Sequence, residues 1–300
     1  MAISTATHPK LLWPGIHAFW GQQYNLNPEM YSQTHEVKSS KQAYEELKNI
    51  VAFPLAPRKT EGAAVIYSDE LDGYLQRATH LAYALGYVVT HEELADNLYK
   101  QVSMARAGAI ANSMNQTVET VAANDFNRAF NSTYTFSDGK ELCATDHPNV
   151  SGGTWSNELT TAADLSEASL EDMCINIMNA LDDRGLKINL NPKKLLVNPA
   201  EWFNSQRILK SVLQNDTANN AKNIIKDMIS DVVVNRWFTD TDAWFIRTDA
   251  QQGLCFFWRE RASFDQDNDF DTKNLKAKGY MRFSTTCGDP RSIYGTPGAA

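Results

Sequence analysis

The sequence predicts an α+β fold in which one long helix is the chassis, and three observations lead there. First, Thr90 with Glu93 three residues later forms a capping box, so a helix starts at His91. Apolar residues then recur at Leu94, Leu98, Val102, Ala105 and Ala109, and the spacing resumes one residue later at Ile110, Met114, Val118 and Val121. No proline interrupts the chain until Pro148, so a helix over 91–131 would rise ~60 Å at 1.5 Å per residue. Second, a period-two stretch precedes this rod. Third, a section with the alternation of an α/β unit, about residues 155–250, separates the rod from a final set of strands that can return to it.

In chain order, residues 1 to about 37 are rich in Pro, Trp, Tyr, Asn and Gln, with Trp13, Phe19 and Trp20 prominent, and show no sustained helical or strand period. Such a segment is too aromatic for a free tail and cannot bury its rings alone. An extended arm lying on another surface is expected, either a neighbouring molecule or the chain's own domain. Val51, Phe53 and Leu55 alternate, the chain turns through Pro57-Arg58-Lys59-Thr60-Glu61-Gly62, and Val65 and Tyr67 resume the alternation, which reads as a hairpin. Asp72-Gly73 reads as a further turn before a strand over 83–89.

Beyond the rod, Ser137-Asp138-Gly139-Lys140 is a turn, and Asp146-His147-Pro148-Asn149 leads into a loop with Gly152-Gly153-Thr154. A helix is expected over 165–183, with Ser166 or Ser169 as cap and Gly185 after its end. Cys174 falls on its apolar face. Strands follow at 194–197, 232–234 and 243–246, the last two as continuous apolar runs suited to central positions. A short helix runs from Trp202 to Leu209, and strands at 254–258 and 278–283 close the chain.

Composition narrows the function. A chain of 300 residues with 43% hydrophobic content builds a full core. A net charge of −8 argues against a protein that grips phosphates, which takes clustered Lys and Arg. Lys273, Lys276 and Lys278 follow Asp265, Asp267, Asp269 and Asp271 closely, and both groups read as a solvated loop and strand. No stretch approaches the ~18 uninterrupted apolar residues of a membrane helix, so no membrane partner is expected. Cys143, Cys174, Cys255 and Cys287 are far apart and form no C-x-x-C pair, which fits unpaired thiols. No cofactor or metal is expected: Asp146 and His147 are neighbours without a further His or Cys at ligand spacing.

The arrangement resembles a known family, the major capsid proteins of tailed bacteriophages with the Hong Kong 97 type fold, nearest to the Mu-like major head subunit. The resemblance is carried by Val37-Lys38-Ser39-Ser40 before Tyr44-Glu45-Glu46, by Glu61-Gly62 with Tyr67, and by Ala84-Leu85-Gly86-Tyr87 with Thr90, Glu93, Asp96 and Tyr99. It continues through Asp138-Gly139, Thr145 to Asn149, Gly152-Gly153-Thr154, Leu195-Leu196-Val197 with Pro199, and Asn219-Asn220 before Val232-Val233-Val234. It implies an N-arm (1–47), an extended-loop hairpin (48–80), a peripheral domain (81–154) with spine helix 91–131, an inserted axial domain (155–250) and a second part of the peripheral domain (251–300).

What the resemblance implies for function is a shell subunit. Its copies would form pentamers and hexamers that close an icosahedral virion around double-stranded DNA, assembled in the bacterial host cytoplasm. The implied partners are other copies of itself, a separate scaffolding protein, a portal, decoration proteins, and DNA held by weak non-specific contact. Many relatives begin with a long acidic helical scaffold segment for which this chain has no room, unless it was cleaved. Trp13, Phe19, Trp20, Arg58, Lys59 and Glu61 are the candidate contacts between subunits. Lys59 at a turn reads as a solvated residue, so no covalent welding of shells through it is expected. Two rivals remain: an encapsulin-like compartment shell of the same fold, and a hydrolase using Asp146, His147, Asp240 and Asp242.

Overall fold

A computed structural model describes residues 13–26, 28–95, 99–213 and 222–299. Helix α1 (Trp13–Tyr24) and the short α2 (Tyr31–Thr34) precede strands β1 (Glu36–Ser39), β2 (Tyr44–Ile50), β3 (Asp72–Thr79) and β4 (Leu81–Val89). Helices α3 (His91–Ala95) and α4 (Tyr99–Asn127) follow, then the small pair β5 (His147–Pro148) and β6 (Thr154–Trp155). The chain continues through α5 (Glu167–Met178), β7 (Pro192–Val197), α6 (Trp202–Lys210), β8 (Asp231–Val234) and β9 (Trp244–Thr248). It ends with the long β10 (Leu254–Asn268) and β11 (Leu275–Cys287), and β12 (Ile293–Thr296).

Two four-stranded sheets organise these elements. The first runs β1-β10-β11-β4, and α4 lies across it. Ile110, Ala111, Met114, Val118 and Ala122 of α4 meet Phe264, Leu275, Ala277, Met281 and Phe283 of the ribbon in one buried cluster. Gly279 makes this approach close, because a Cβ there would sit 2.1 Å from the Met114 sulfur. The second sheet runs β12-β9-β7-β8, with α5 and α6 packed on it through Leu170, Met173, Ile177, Ile208 and Leu209. Leu195, Leu196, Val197, Trp244, Phe245 and Ile246 are buried, as their continuous apolar runs require.

Several expectations are corrected. Residues 13–24 are helical, not an arm without regular structure: Pro14 sits in the first turn, where a missing N–H costs nothing, while Gly15 and Gly21 blur the period. The helix packs on α4, and Gly108 lets the Phe19 ring approach to 3.3 Å of the position a Cβ would take. The rod is described as α3 and α4, with residues 96–98 outside the described part. At 29 residues α4 alone spans about 44 Å. Ala105 and Ala109 face solvent, and Ala107, Gly108 and Ala111 take the inward face, since small residues let α1 sit close. Leu94, Leu98 and Val102 have side chains outside the described part. The hydroxyl half of the capping box is present, with Glu93 N–H donating to Thr90 Oγ1 at 3.3 Å. Its carboxylate pairs instead with Arg106 of α4 at 3.1 Å.

The hairpin is displaced along the chain. Its ladder is β2–β3, from Tyr44 opposite Thr79 to Ile50 opposite Asp72, so Asp72-Gly73 opens a strand where a turn was expected. Gly73 is there because a Cβ would fall 2.0 Å from the Asn49 carbonyl oxygen. Residues 51–71, including the alternating Val51–Leu55 run, form no ladder. The short β8 is an edge strand, half-buried rather than covered on both faces. Strand β12 joins the second sheet beside β9, so the chain's end does not belong wholly with the first sheet.

Candidate assembly surfaces

The excursion 51–71 hangs from the β2–β3 ladder, which surface pairs Arg77–Glu46 and Lys48–Asp72 brace on its outside. Beyond the ladder Val51 is buried, but Phe53, Leu55, Val65, Ile66 and Tyr67 are all largely exposed, Tyr67 at 92%. Five large apolar side chains on one segment of about twenty residues depart from the single scattered apolar residues normal on a monomer. Arg58, Lys59 and Glu61 lie at the far end around Gly62, whose φ of +77° makes the reversal, and all three are exposed.

The N-terminal candidates behave differently from one another. Trp13 opens α1, and its side chain lies outside the described part. Trp20 is only 5% exposed and stacks between Tyr24 and Phe264 at centroid distances of 5.3 and 5.8 Å. As a contact between subunits Trp20 is therefore corrected: its ring fills this chain's own core. Phe19, half-buried, rests on Gly108.

The segment after α1 is fastened to α4 by polar contacts. The Glu119 carboxylate accepts the N–H groups of Met30 at 2.7 Å and Tyr31 at 3.0 Å, at the start of α2. One turn on, His35 Nε2 lies 3.1 Å from Asp125. Burial pushes the Glu119 carboxyl up to about 7, against the two N–H groups that favour its charge. Because the folded state then binds the proton more tightly than the unfolded chain, Glu119 contributes stability in acid that is lost as pH rises from about 4.5 to about 7. Glu158, also raised to about 7 mainly by burial, adds in the same direction. Thermal unfolding followed across that window is expected to show a flatter pH dependence for Glu119→Gln than for the wild type.

Asp146 and His147 do not form a reactive pair. Lys140 holds Asp146 at 2.5 Å on the surface. His147 is fully buried between Asp138 (Nδ1 to Oδ2, 2.6 Å) and Asn157 (Nε2 to Oδ1, 3.1 Å), with its ring on Trp155 at 4.6 Å. Asp240 serves the turn into β9 by accepting from Asp242 and Ala243 N–H groups. The structure thus gives the four hydrolase candidates no common cleft. Among the described residues there is no group of three His, Cys, Asp or Glu side chains able to hold a metal, and no helix long and apolar enough to cross a membrane. All four cysteines are buried and unpaired.

Instead His147 belongs to a knot that joins the parts of the chain, and sequence reasoning missed most of it. The Asn157 amide accepts Ala144 N–H and donates to the carbonyls of Leu142 and Ile293. Arg291 is buried, pairs with Asp183 at 3.0 Å and Asp289 at 3.6 Å, donates to Leu181 O and Asn149 Oδ1, and lies 4.4 Å above Trp155. Asn49, at the root of the 51–71 excursion, reaches Asp183 at 3.4 Å, and Arg184 reaches the Asp69 carbonyl at 3.1 Å. Both sheets and the hairpin root therefore meet at one polar centre.

Comparison with known proteins places this geometry. A family model described as phage capsid protein matches residues 74–295. The chain is similar in structure to a chain from Mycobacterium phage Adephagia, with a TM-score of 0.54 and 10% identity over 100% of this chain and 99% of that one. It is similar to the procapsid subunit of bacteriophage JBD30, with a TM-score of 0.52 and 15% identity over 98% and 76% of the two chains. It is also similar to the subunit of a virus-like particle from Pyrococcus furiosus, with a TM-score of 0.51 and 11% identity over 95% and 98%. No curated protein matches the sequence.

Proposed function

We propose, for a chain that belongs to the phage capsid protein family, that copies of it close as pentamers and hexamers into the icosahedral head around double-stranded DNA. The shell role itself is the family's. The finer reading is a Hong Kong 97 type subunit of the Mu-like kind: α4 as spine, the first sheet as peripheral domain, the second as axial domain, and 51–71 as the extended loop. The observation that supports it is that loop, whose Phe53, Leu55, Val65, Ile66 and Tyr67 are presented to solvent by a chain with a complete core of its own. A shell subunit has neighbours on several sides, and each tethered contact makes the next one effectively intramolecular, so modest surfaces suffice.

Negative-stain microscopy of the purified chain is expected to show rings or closed particles; a monomer at every concentration would remove the proposal. Particles purified from infected cells are expected to contain DNA, whereas an enclosed enzyme would favour the compartment reading. The −8 net charge suits a container whose polyanionic contents slide freely. Scaffold, portal and decoration proteins remain the partners this role calls for. Lys59 is exposed, and a denaturing gel of mature particles is expected to show the monomer band alone.

A further inference from the structure

A groove of about 880 Å³ runs along the free edge of the second sheet. Strand β8 pairs with β7 on one side alone, so one row of its main-chain N–H and C=O groups has no strand beside it. Asp231, Val232, Val233 and Val234 all line the groove. Four consecutive residues of a strand share a groove when it follows the strand's edge, since a groove over one face would meet alternate residues. The rest of the lining comes from Met30 and Gln33 at α2, from Asn115 and Gln116 of α4, and from Trp202 and Trp237. The edge of β8 therefore lies in a recess between the second sheet and α4.

Asn115 is a second mark of a missing occupant. It is 4% exposed, and its Nδ2 donates to the Tyr24 carbonyl at 3.5 Å, which leaves Oδ1 as the acceptor on the other side. That oxygen is buried and has no hydrogen-bond partner. Native chains rarely leave such an acceptor unpaired, and a main-chain N–H entering the groove supplies the donor. The charges lining the groove are two. Asp231 is already met by Lys194 at 3.9 Å, whereas Arg236, exposed just past the end of β8, enters no ion pair among the described residues. The recess thus suits an extended peptide whose main chain meets the edge, whose alternate apolar side chains meet Val232, Val234 and the two tryptophans, and whose carboxylate meets Arg236. A nucleic acid would find a single lining cation. A second copy fits poorly: its free edges, β1, β4 and β12, belong to folded sheets whose inner strands have no place in the recess, and its 51–71 excursion goes out and back through Gly62, two arms wide.

We infer that this groove takes an extended segment of a different protein, apolar at alternate positions and acidic beside them, as an added strand on β8. The inference stands apart from the shell reading, because the site is complete in a single chain. The probe is a library of random linear peptides displayed for binding to the full chain. Selected peptides are expected to alternate apolar residues and to carry an Asp or Glu, and a synthetic copy of one is expected to slow amide hydrogen exchange at 231–234. Arg236→Glu, at an exposed position, weakens that peptide about fivefold, and replacing the peptide's acid by lysine restores binding to the variant. Asn115→Leu, near in volume, weakens it to a similar degree, with urea unfolding confirming the fold. A selection that enriches nothing, or peptides that neither protect 231–234 nor respond to the two variants, overturns the inference. Particles formed by this chain alone that protect 231–234 as strongly as the peptide put another copy in the groove, which overturns it while supporting the shell reading. A chain that binds the peptide and never assembles removes the shell reading and leaves this one standing.

Discussion

Replacing Arg291 with alanine is expected to cost about 3–5 kcal/mol of folding stability, because breaking a buried ion pair leaves charge without a partner. The guanidinium lies among Asp183, Asp289, Asn149, the Leu181 carbonyl and the Trp155 ring, and its removal strands the buried Asp183 carboxylate, the half-buried Asp289 carboxylate and a carbonyl at once. Lysine is no substitute. A single ammonium cannot reach Asp183, Asp289 and Leu181 O with a fixed fork, so Arg291→Lys is expected to lose much of the same stability. The pH dependence follows from Asp289, whose carboxyl is raised by burial while Arg291 opposes the rise. Without the arginine the carboxyl rises further, so the variant is weakest at high pH and regains stability as the pH falls through the raised carboxyl range. Urea unfolding of wild type and variant at two pH values measures both effects. A midpoint that does not move would mean the knot carries no stability.

Its position makes this more than a stability argument. Asp183 and Arg184 lie just after α5, Arg291 just before β12, Asn149 between β5 and β6, and Asn49 at the root of the excursion. Loosening the knot therefore changes how 51–71 is aimed relative to both sheets. Arg291→Ala is expected to raise hydrogen exchange at 72–79 as well as near its own site.

What the sequence showed and what it hid divide along physical lines. The inward face of α4 from Ile110 to Val118 and the apolar runs of β7, β9 and the ribbon were legible, since periodicity reports directly on a buried face. The same logic misled at 51–67: alternation of apolar residues implies one covered face, and Phe53, Leu55, Val65 and Tyr67 have none within this chain. That unused alternation is what supports the proposed contact of this loop with a neighbouring copy. Helix α1 escaped because Pro14, Gly15 and Gly21 lower helix propensity, while its packing comes from Trp20, stacked between its own Tyr24 and Phe264, a partner far along the chain. His147 was visible but its role was not. Asp138, Asn157 and Trp155 are brought to it by the turn and the β5–β6 pair, and Arg291 comes from the far end of the chain.

Serine at Phe53, Leu55, Val65, Ile66 and Tyr67 together is expected to abolish particle formation and leave the fold untouched. Each of these side chains is largely in water already in the isolated chain, so the monomer loses little burial and each replacement is expected to change its unfolding free energy by no more than about 0.5 kcal/mol. On a neighbouring copy, five such side chains buried at about 1.5 kcal/mol each supply on the order of 7 kcal/mol per contact before ordering of the segment is subtracted. That loss recurs at every subunit, and a closed shell depends on all of its contacts together. Light scattering and negative-stain microscopy read the assembly, and urea unfolding reads the monomer. Arg58, Lys59 and Glu61, left unchanged in this variant, separate apolar anchoring from charge. If their replacement by alanine stops assembly while the five serines do not, the loop is held by its charged end. If the serines destabilise the isolated chain by several kcal/mol, the segment folds home onto its own domain, and it is not the surface through which copies meet.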